Sequence, residues 1–288
     1  MSETSRIIEK KLRAVSLLRE HRCVLVALSG GVDSAVLLAI AAEALGSENV
    51  LAVTGRSGAV TEGEIRDASE VARSLNVRHE VLETNELERP GYRANLGDRC
   101  FHCRSELFDL LRALAVERGC DAIAYGAIVD DLGDFRPGME AARQQEVLAP
   151  LLEAGIDKQD IRIIARTYNL NVQEKPASPC LASRIPMGTE VTLERLDQVG
   201  RAEEALREHG FRRFRVRHHG DVARIELGAG EVDRLGVETV RAEVVRSVKA
   251  AGFRFVALDL EPYSAGRMNP ENPDIHLYSI EPQRETGQ

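Results

Sequence analysis

Six residues near the start of the chain, Ser29-Gly30-Gly31-Val32-Asp33-Ser34, constrain the fold more than any other stretch. An apolar run at 23–28 precedes them and an Ala- and Leu-rich segment at 35–45 follows, which is the order of strand, glycine turn and helix used by phosphate-binding loops. The glycines let backbone N–H groups approach an anion, the helix directs its positive end to the same point, and the two serines add donors. No lysine follows, so this is not the G-x-x-x-x-G-K-[ST] loop. We expect residues 29–34, the glycine loop, to bind phosphate; a turn that only caps a helix is the structural alternative.

Strands and helices alternate along the first half of the chain. Apolar runs predict strands at 23–28, 49–54, 78–82 and 121–125, and helices are predicted at 35–45, 61–75 and 103–117. This alternation predicts an α/β fold with a doubly wound parallel sheet. Ligands of such sheets bind beyond the carboxyl ends of the strands, where we expect Ser29, Thr54 and Gly126 to contact a nucleotide.

An acidic loop at 126–138 follows the fourth predicted strand. Its carboxylates, Asp130 and Asp134 among them, are suited to hold Mg²⁺ on a pyrophosphate or to bind a ribose, and Arg136 can pair with a phosphate. The structural alternative is a solvated acidic loop that its arginine neutralises.

The C-terminal part of the chain predicts a smaller α+β domain. A proline-broken loop at 175–188 holds Cys180, Ser183 and Arg184, and we place the domain boundaries so that residues 1–190 form the first domain, 191–261 the second and 262–288 a polar, flexible tail. In the second domain Arg215 and Arg217 alternate along a strand and share one face, with Glu226 on the next strand. A solvated strand face is the alternative interpretation.

Composition limits the partners of the chain. It has 288 residues and a net charge of −8, which counts against a nucleic-acid partner. Its N-terminus reads as an amphipathic helix and no stretch has the roughly 18 apolar residues of a membrane span, so we expect a cytoplasmic protein without membrane attachment. The odd number of five cysteines argues against a disulfide framework, and we expect Cys23 and Cys120 to be small buried side chains.

Three other cysteines indicate chemistry. Cys100 and Cys103 form a C-x-x-C pair, which by itself fits zinc, an iron–sulfur cluster, a redox pair or no function. We expect this pair and Cys180 to lie on two loops beside the nucleotide site. Three thiolates suit a [4Fe-4S] cluster with one open iron, whereas structural zinc needs a fourth ligand, for which His102 is poorly placed.

The motifs together resemble a known family. The glycine loop resembles the S-G-G-x-D-S signature of the PP-loop ATP pyrophosphatases, of the adenine nucleotide alpha hydrolase-like fold. With residues 98–103, 130–138, 175–188 and 215–217, the chain closely resembles the LarE family over about residues 7–260. That family comprises ATP-dependent sulfur transferases of nickel-pincer nucleotide cofactor biosynthesis.

The resemblance implies that the chain adenylates a carboxylate of pyridinium-3,5-biscarboxylic acid mononucleotide with ATP and Mg²⁺ and then replaces an oxygen by sulfur. In the family the counterpart of Cys180 is either a sacrificial sulfur donor, left as dehydroalanine, or a ligand of a [4Fe-4S] cluster; Cys100 and Cys103 favour the cluster here. The resemblance also implies a homo-oligomer. It assigns catalysis to Cys180, Asp33 and Ser34, and the substrate phosphate to Ser183, Arg184, Arg215, Arg217 and Glu226. A PP-loop tRNA thiolation enzyme, another adenylating synthetase and a non-enzymatic nucleotide-binding module are the alternatives.

Overall fold

A four-stranded parallel sheet forms the centre of the first part of the chain. The computed structural model describes residues 3–133, 137–173 and 179–264. The strands are β1 (Val24–Ala27), β2 (Val50–Arg56), β3 (Arg78–Glu83) and β4 (Ala122–Tyr125), in the order β3-β2-β1-β4. All of β1 and the first four residues of β2, the two central strands, are apolar because helices cover both faces of the sheet. The predicted parallel α/β fold is confirmed.

Eight helices accompany this sheet, and their ends follow local sequence signals. Thr61 and Asp157 each form a capping box, which starts one helix at Glu62 and another at Lys158. The helix at Val32–Leu45 is apolar on nearly all sides because it is packed between the sheet and its neighbours. The helices are α1 (Glu3–Leu18), α2 (Val32–Leu45), α3 (Glu62–Ser74), α4 (Pro90–Ala94), α5 (Arg99–Arg118), α6 (Pro137–Gln144), α7 (Pro150–Glu153) and α8 (Lys158–Thr167).

A second, three-stranded sheet lies in the C-terminal part. Its elements are α9 (Leu193–Glu208), β5 (Phe214–His219), β6 (Val222–Leu227), α10 (Glu238–Ala250) and β7 (Phe255–Leu258). β5 and β6 pair antiparallel, β6 and β7 pair parallel, and α9 and α10 cover the sheet. The predicted small α+β unit is confirmed. Its apolar core also includes Ala59, Tyr92 and several residues of 181–191, and the division after residue 190 stays a prediction.

Two expectations about the cysteines are wrong. Cys23 and Cys120 form a disulfide, although the odd cysteine count argued against one. The sheet explains the pairing, because each cysteine lies just before one of two adjacent parallel strands whose register aligns Val24 with Ala122. Cys100 and Cys103 lie in the first turn of α5 and not in a loop, because that helix begins at Arg99, four residues before the predicted start.

Two further observations concern the ends of elements. β2 continues two residues beyond Thr54, so this residue is inside the strand and not at its carboxyl end. Within the described ranges, no helix has the length and apolar character needed to cross a membrane.

Candidate active site

The glycine loop connects β1 to α2 at the carboxyl edge of the parallel sheet. Gly30 has φ +72°, and a Cβ there would lie 2.7 Å from the carbonyl oxygen of Glu64, so only glycine fits. Gly31 is the N-cap of α2, and no side chain caps the first N–H groups of the helix. These donors and the positive end of the helix dipole form an anion-binding site.

The two serine hydroxyls close the loop on itself. Ser34 Oγ accepts from the backbone N–H of Ser29 at 3.2 Å, lies 3.1 Å from Ser29 Oγ and donates to the carbonyl of Gly31 at 3.1 Å. Ser34 is buried, whereas Ser29 is exposed. The hydroxyls therefore fix the shape of the loop; their expected role as donors to a bound anion stays a prediction.

Asp33 has a cationic partner from a distant helix. Lys158 Nζ donates to both carboxylate oxygens of Asp33, at 2.7 and 2.8 Å, and the backbone N–H of Lys158 donates to Asp130 at 2.9 Å. Sequence reasoning did not single out Lys158. A basic residue in the first turn of a helix lies unfavourably near the positive end of the helix dipole. This position of Lys158 could have indicated that it pairs with a carboxylate elsewhere.

The neighbouring strands contribute unequally to this edge. Gly126 directly follows β4, and a Cβ there would lie 2.8 Å from the backbone nitrogen of Ser34, so β4 abuts the start of α2. The hydroxyl of Thr54 points inward, donates to the carbonyl of Leu28 at 2.8 Å and lies 2.8 Å from His79 Nε2. Thr54 is buried, and its hydrogen bond stabilises the backbone directly before the glycine loop. Asp134 and Arg136 lie outside the described residues.

The segment 179–185, the cysteine segment, lies next to the glycine loop through the start of α3. The backbone N–H of Leu181 donates to the carbonyl of Ala59 at 2.9 Å. Burial lowers the pKa of Arg184, but the hydrogen bond and charge of Glu203 raise it above its ordinary value. The charges of Cys180 and of Glu64, whose backbone carbonyl approaches Gly30, raise it further. Residues 59–64 thus contact the glycine loop on one side and the cysteine segment on the other.

The three free thiols are near enough to affect one another's pKa. Cys100 is exposed, and Cys103 and Cys180 are half-buried against the second core. Burial raises the pKa of Cys103, and Cys180 and Cys100 raise it further. Burial also raises the pKa of Cys180, against the opposing charges of Arg99 and Arg184. The donor set is chemically suited to iron and sulfur, yet no three His, Cys, Asp or Glu side chains in the described ranges are grouped so that they hold a metal ion.

Asn95 and Arg99 fasten α4 and α5 to the cysteine segment, and sequence reasoning missed both. The Asn95 amide donates to the carbonyls of Pro186 at 2.8 Å and Thr189 at 3.0 Å. Arg99 donates to the Asn95 side chain at 2.7 Å and to the carbonyl of Ala182 at 3.0 Å. Asn95 adopts a left-handed conformation at φ 53°, which directs the chain from α4 into α5.

The predicted phosphate-binding residues form an arginine cluster with two buried carboxylates, consisting of Arg184, Arg215, Arg217, Glu203 and Glu226. Arg184 donates to both oxygens of Glu203, at 2.8 and 2.9 Å, and Arg217 donates to Glu226 at 2.8 Å. Both pairs are almost fully buried, so the interpretation as a solvated strand face is wrong for Arg217. Sequence reasoning missed Glu203, which lies on α9, far along the chain from its partner.

Arg215 and Ser183 complete this cluster. The Arg215 guanidinium lies 4.7 Å from the centre of the Tyr263 ring, and burial followed by the charge of Arg184 lowers its pKa. The Ser183 hydroxyl accepts from Arg184 at 3.0 Å, and its carbonyl accepts from Arg217 at 3.2 Å. Because Arg215 is half-buried among like charges, an anion is the ligand that this position favours.

Comparisons with known proteins find one family model and several relatives that resemble this chain. A family model described as NAD synthase matches residues 3–99. An uncharacterized protein of Synechocystis sp. is 40% identical over 245 residues, which are 85% of this chain and 91% of the relative. The tRNA-specific 2-thiouridylase MnmA of Acidiphilium cryptum is 29% identical over 271 residues, 81% of this chain and 76% of that protein.

Another relative carries the family assignment. Pyridinium-3,5-bisthiocarboxylic acid mononucleotide synthase of Lactiplantibacillus plantarum is 35% identical over 260 residues, which are 90% of this chain and 94% of the relative. Because this identity extends over nearly the whole of both proteins, the chain belongs to the LarE family.

Proposed function

We propose that the protein is an ATP-dependent sulfur transferase that converts a carboxylate of pyridinium-3,5-biscarboxylic acid mononucleotide into a thiocarboxylate. The observation that supports this proposal is that residues 59–64 contact both Gly30 of the glycine loop and Leu181, the residue after Cys180. The name of the Lactiplantibacillus plantarum relative supplies the substrate class.

The first half-reaction uses the glycine loop. The N–H groups at the start of α2 bind the phosphates of ATP, and the hydroxyls of Ser29 and Ser34 keep the loop in shape. A substrate carboxylate oxygen attacks the α-phosphorus, the bond to the β-phosphate oxygen breaks, and pyrophosphate leaves. Asp33 and Asp130 are the carboxylates placed to hold Mg²⁺, which would neutralise charge on the leaving group.

The second half-reaction uses sulfur from the cysteine segment. A sulfur nucleophile at Cys180 attacks the acyl carbon, the carbon–sulfur bond forms, and AMP leaves with the oxygen that joined it to the acyl group. In one route this sulfur is that of Cys180: a base takes the Cα proton, the Cβ–Sγ bond breaks, the sulfur leaves with the product as a thiocarboxylate, and Cys180 is left as dehydroalanine. In the other, Cys100, Cys103 and Cys180 would hold a [4Fe-4S] cluster, which would supply a site for external sulfide.

We assign the mononucleotide phosphate to the arginine cluster. Arg215 and the Ser183 hydroxyl are the groups placed to contact it. Arg184 and Arg217, which are paired with Glu203 and Glu226, hold these two in position and keep the local charge positive. Gly126, Asp134 and Arg136 remain proposed nucleotide contacts, whereas Thr54 is buried and its hydroxyl is bonded to Leu28 and His79.

The test combines two measurements on anaerobically purified protein. With ATP, Mg²⁺, sulfide and the mononucleotide, we expect pyrophosphate release and a product whose mass reports exchange of oxygen for sulfur. A tRNA added in place of the mononucleotide should release no pyrophosphate, which separates this function from that of the thiouridylase relative. Pyrophosphate release with tRNA and none with the mononucleotide would contradict the proposal.

The sulfur source is tested in the same samples. Iron and acid-labile sulfide that disappear when Cys100, Cys103 or Cys180 is changed to Ala, but persist in Cys23→Ala and Cys120→Ala, together with multiple turnovers on added sulfide, support the cluster route. Colourless protein after reconstitution, with dehydroalanine at Cys180 after one turnover, supports the sacrificial route.

A further inference from the structure

His79, on β3, has a hydroxyl group within hydrogen-bond distance of each of its ring nitrogens. Its Nε2 lies 2.8 Å from the hydroxyl oxygen of Thr54, on β2, and its Nδ1 lies 3.1 Å from that of Ser69, on α3. The register of the two strands aligns His79 with Ala52, two residues before Thr54, so the side chains of His79 and Thr54 lie on the same face of the sheet. The imidazole ring therefore joins β2 to α3.

The two elements that this ring joins both contact the glycine loop or the residue before it. The hydroxyl of Thr54 donates to the carbonyl of Leu28 at 2.8 Å, and Leu28 directly precedes the loop. On the side of α3, a Cβ at Gly30 would lie 3.3 Å from the backbone nitrogen of Ala68, the residue before Ser69. A change in the position of either element would therefore change the position of the loop.

The two hydroxyl groups decide which ring nitrogen carries the proton. A neutral imidazole has one donor and one acceptor nitrogen, and burial lowers the pKa of His79, which keeps the ring neutral at neutral pH. The Thr54 hydroxyl donates its single proton to the carbonyl of Leu28, so from the ring it can only accept. The Ser69 hydroxyl can turn to the ring, because the carbonyl of Ile65, 2.9 Å away, already accepts the helical N–H of Ser69. Nε2 is therefore the donor and Nδ1 the acceptor.

We propose that His79 is a positioning residue for the glycine loop. Its Nε2–H donates to Thr54 and its Nδ1 accepts from Ser69, and this chain of hydrogen bonds, the histidine relay, fixes the carbonyl of Leu28 through Thr54. With this carbonyl fixed, the N–H groups at the start of α2 keep the direction in which they bind phosphate. A preorganised anion site binds more tightly than one that has to be ordered by its ligand, so the relay strengthens the binding of ATP. The inference rests on the proposed function for the identity of this nucleotide.

The first test locates the ring proton of His79 by nuclear magnetic resonance. Long-range proton–nitrogen correlation spectra of isotope-labelled protein, recorded at mildly alkaline pH and assigned with His79→Gln, should show the proton on Nε2. Ser69→Ala should leave it there, because the bond to Thr54 remains. Thr54→Val should move it to Nδ1, because the Ser69 hydroxyl is then the acceptor that is left. A proton on Nδ1 in the native protein, or no change in Thr54→Val, would overturn the inference.

The second test measures the binding of ATP by isothermal titration calorimetry in the absence of the mononucleotide. His79→Leu removes both ring nitrogens, and the dissociation constant of ATP should rise about tenfold, as expected for the loss of one hydrogen bond that positions the loop. His79→Gln keeps an amide N–H that can donate to Thr54, so its dissociation constant should stay within about twofold of the native value. Equal losses of ATP affinity in the two variants, or no loss in His79→Leu, would contradict the inference.

His218→Leu is the matched control. Burial also lowers the pKa of His218, whose Nε2 lies 3.2 Å from Gln198 and whose ring packs against Phe253 of the second core. This variant should lower the free energy of unfolding in urea and leave ATP affinity unchanged. A loss of ATP affinity as large as that in His79→Leu would come from general destabilisation and would overturn the inference. If native protein binds no ATP, or if His79→Leu does not fold, the position of the ring proton still decides whether the histidine relay exists, whereas the absence of ATP binding contradicts the proposed function.

Discussion

The glycine loop and the arginine cluster are both suited to bind phosphate, but they use different chemical groups to do so. The loop uses backbone N–H groups, a helix dipole and small side chains that are contiguous in sequence. The cluster uses charged side chains from the cysteine segment, α9, β5 and β6, and buries two carboxylates among them. Backbone donors need no counter-charge to be buried, whereas buried guanidinium groups do. We therefore expect substitutions in the loop to affect catalysis first and substitutions in the cluster to affect stability first.

The largest effect expected on stability is that of Glu203→Ala. It leaves Arg184 buried without its partner and removes the acceptor for the N–H of Val216, which should lower the free energy of unfolding by about 3–5 kcal/mol. Urea unfolding followed by circular dichroism measures it. Asp197→Ala removes an exposed ion pair with Arg201 on the same helix and should cost less than about 1 kcal/mol. Similar losses in the two variants would show that the buried pairs of the cluster contribute no more to stability than an exposed pair does.

For the loop, Asp33→Asn should reduce pyrophosphate release by on the order of a hundredfold or more, because it removes the carboxylate at the site of charge transfer. Its pair with Lys158 is only half-buried, so unfolding in urea should change by less than about 1 kcal/mol. Asp221→Asn, in an exposed turn, is the control for activity. Unchanged turnover in Asp33→Asn with a normal circular dichroism spectrum would refute the assignment of the loop.

Arg215→Ala separates binding from stability within the cluster. We expect the dissociation constant of the mononucleotide to rise about tenfold to a hundredfold while that of ATP is unchanged, since a charge-assisted hydrogen bond is lost. Isothermal titration calorimetry measures both ligands. Arg213→Ala, at an exposed position just before β5, should change neither. An equal loss of ATP affinity in Arg215→Ala would show that the cluster is not a separate phosphate site.

The smallest effect concerns two histidines, one in each region. Burial lowers the pKa of His79, beneath the glycine loop, and of His218, in the second core, from the ordinary 6.5. The unfolded chain therefore binds protons at a higher pH than the folded one. The two neutral imidazole rings make their full contribution to the free energy of unfolding above about pH 6.5. This contribution is lost as the pH falls towards the lowered pKa values of the folded protein. In His79→Gln and in His218→Gln, the free energy of unfolding in urea should fall by about 1 kcal/mol less between about pH 7 and pH 5 than it does in the native protein. A profile as steep as that of the native protein in both variants would contradict this.

The sequence predicted those features that depend on neighbours along the chain. The glycine loop and the alternation of strands and helices are local patterns, and the structure has them where they were expected. The pair of Lys158 with Asp33, the partner of Arg184 and the disulfide between Cys23 and Cys120 each join residues that are distant along the chain. Such pairs follow from strand order and packing, which no local pattern contains.

The start of α5 shows a different limit. The C-x-x-C pair was expected in a loop because its surroundings are polar, yet Arg99 and the following residues begin a helix whose N-cap, Asp98, makes no capping hydrogen bond. Tertiary contacts, among them the bonds of Arg99 to Asn95 and Ala182, fix this start. Propensity alone does not place a helix boundary that packing determines.

The ammonium of Lys158 gives the glycine loop an internal counter-ion. Any external cation that is to occupy both oxygens of Asp33 has to displace it, so cation uptake at this carboxylate is an exchange and not a simple addition. The displaced lysine, anchored through its backbone at the start of α8, stays within reach of whatever anion fills the loop. Before any ligand enters, the charges of Lys158 and Asp33 cancel, so a cation that takes over the carboxylate leaves the lysine charge available to an anion in the loop.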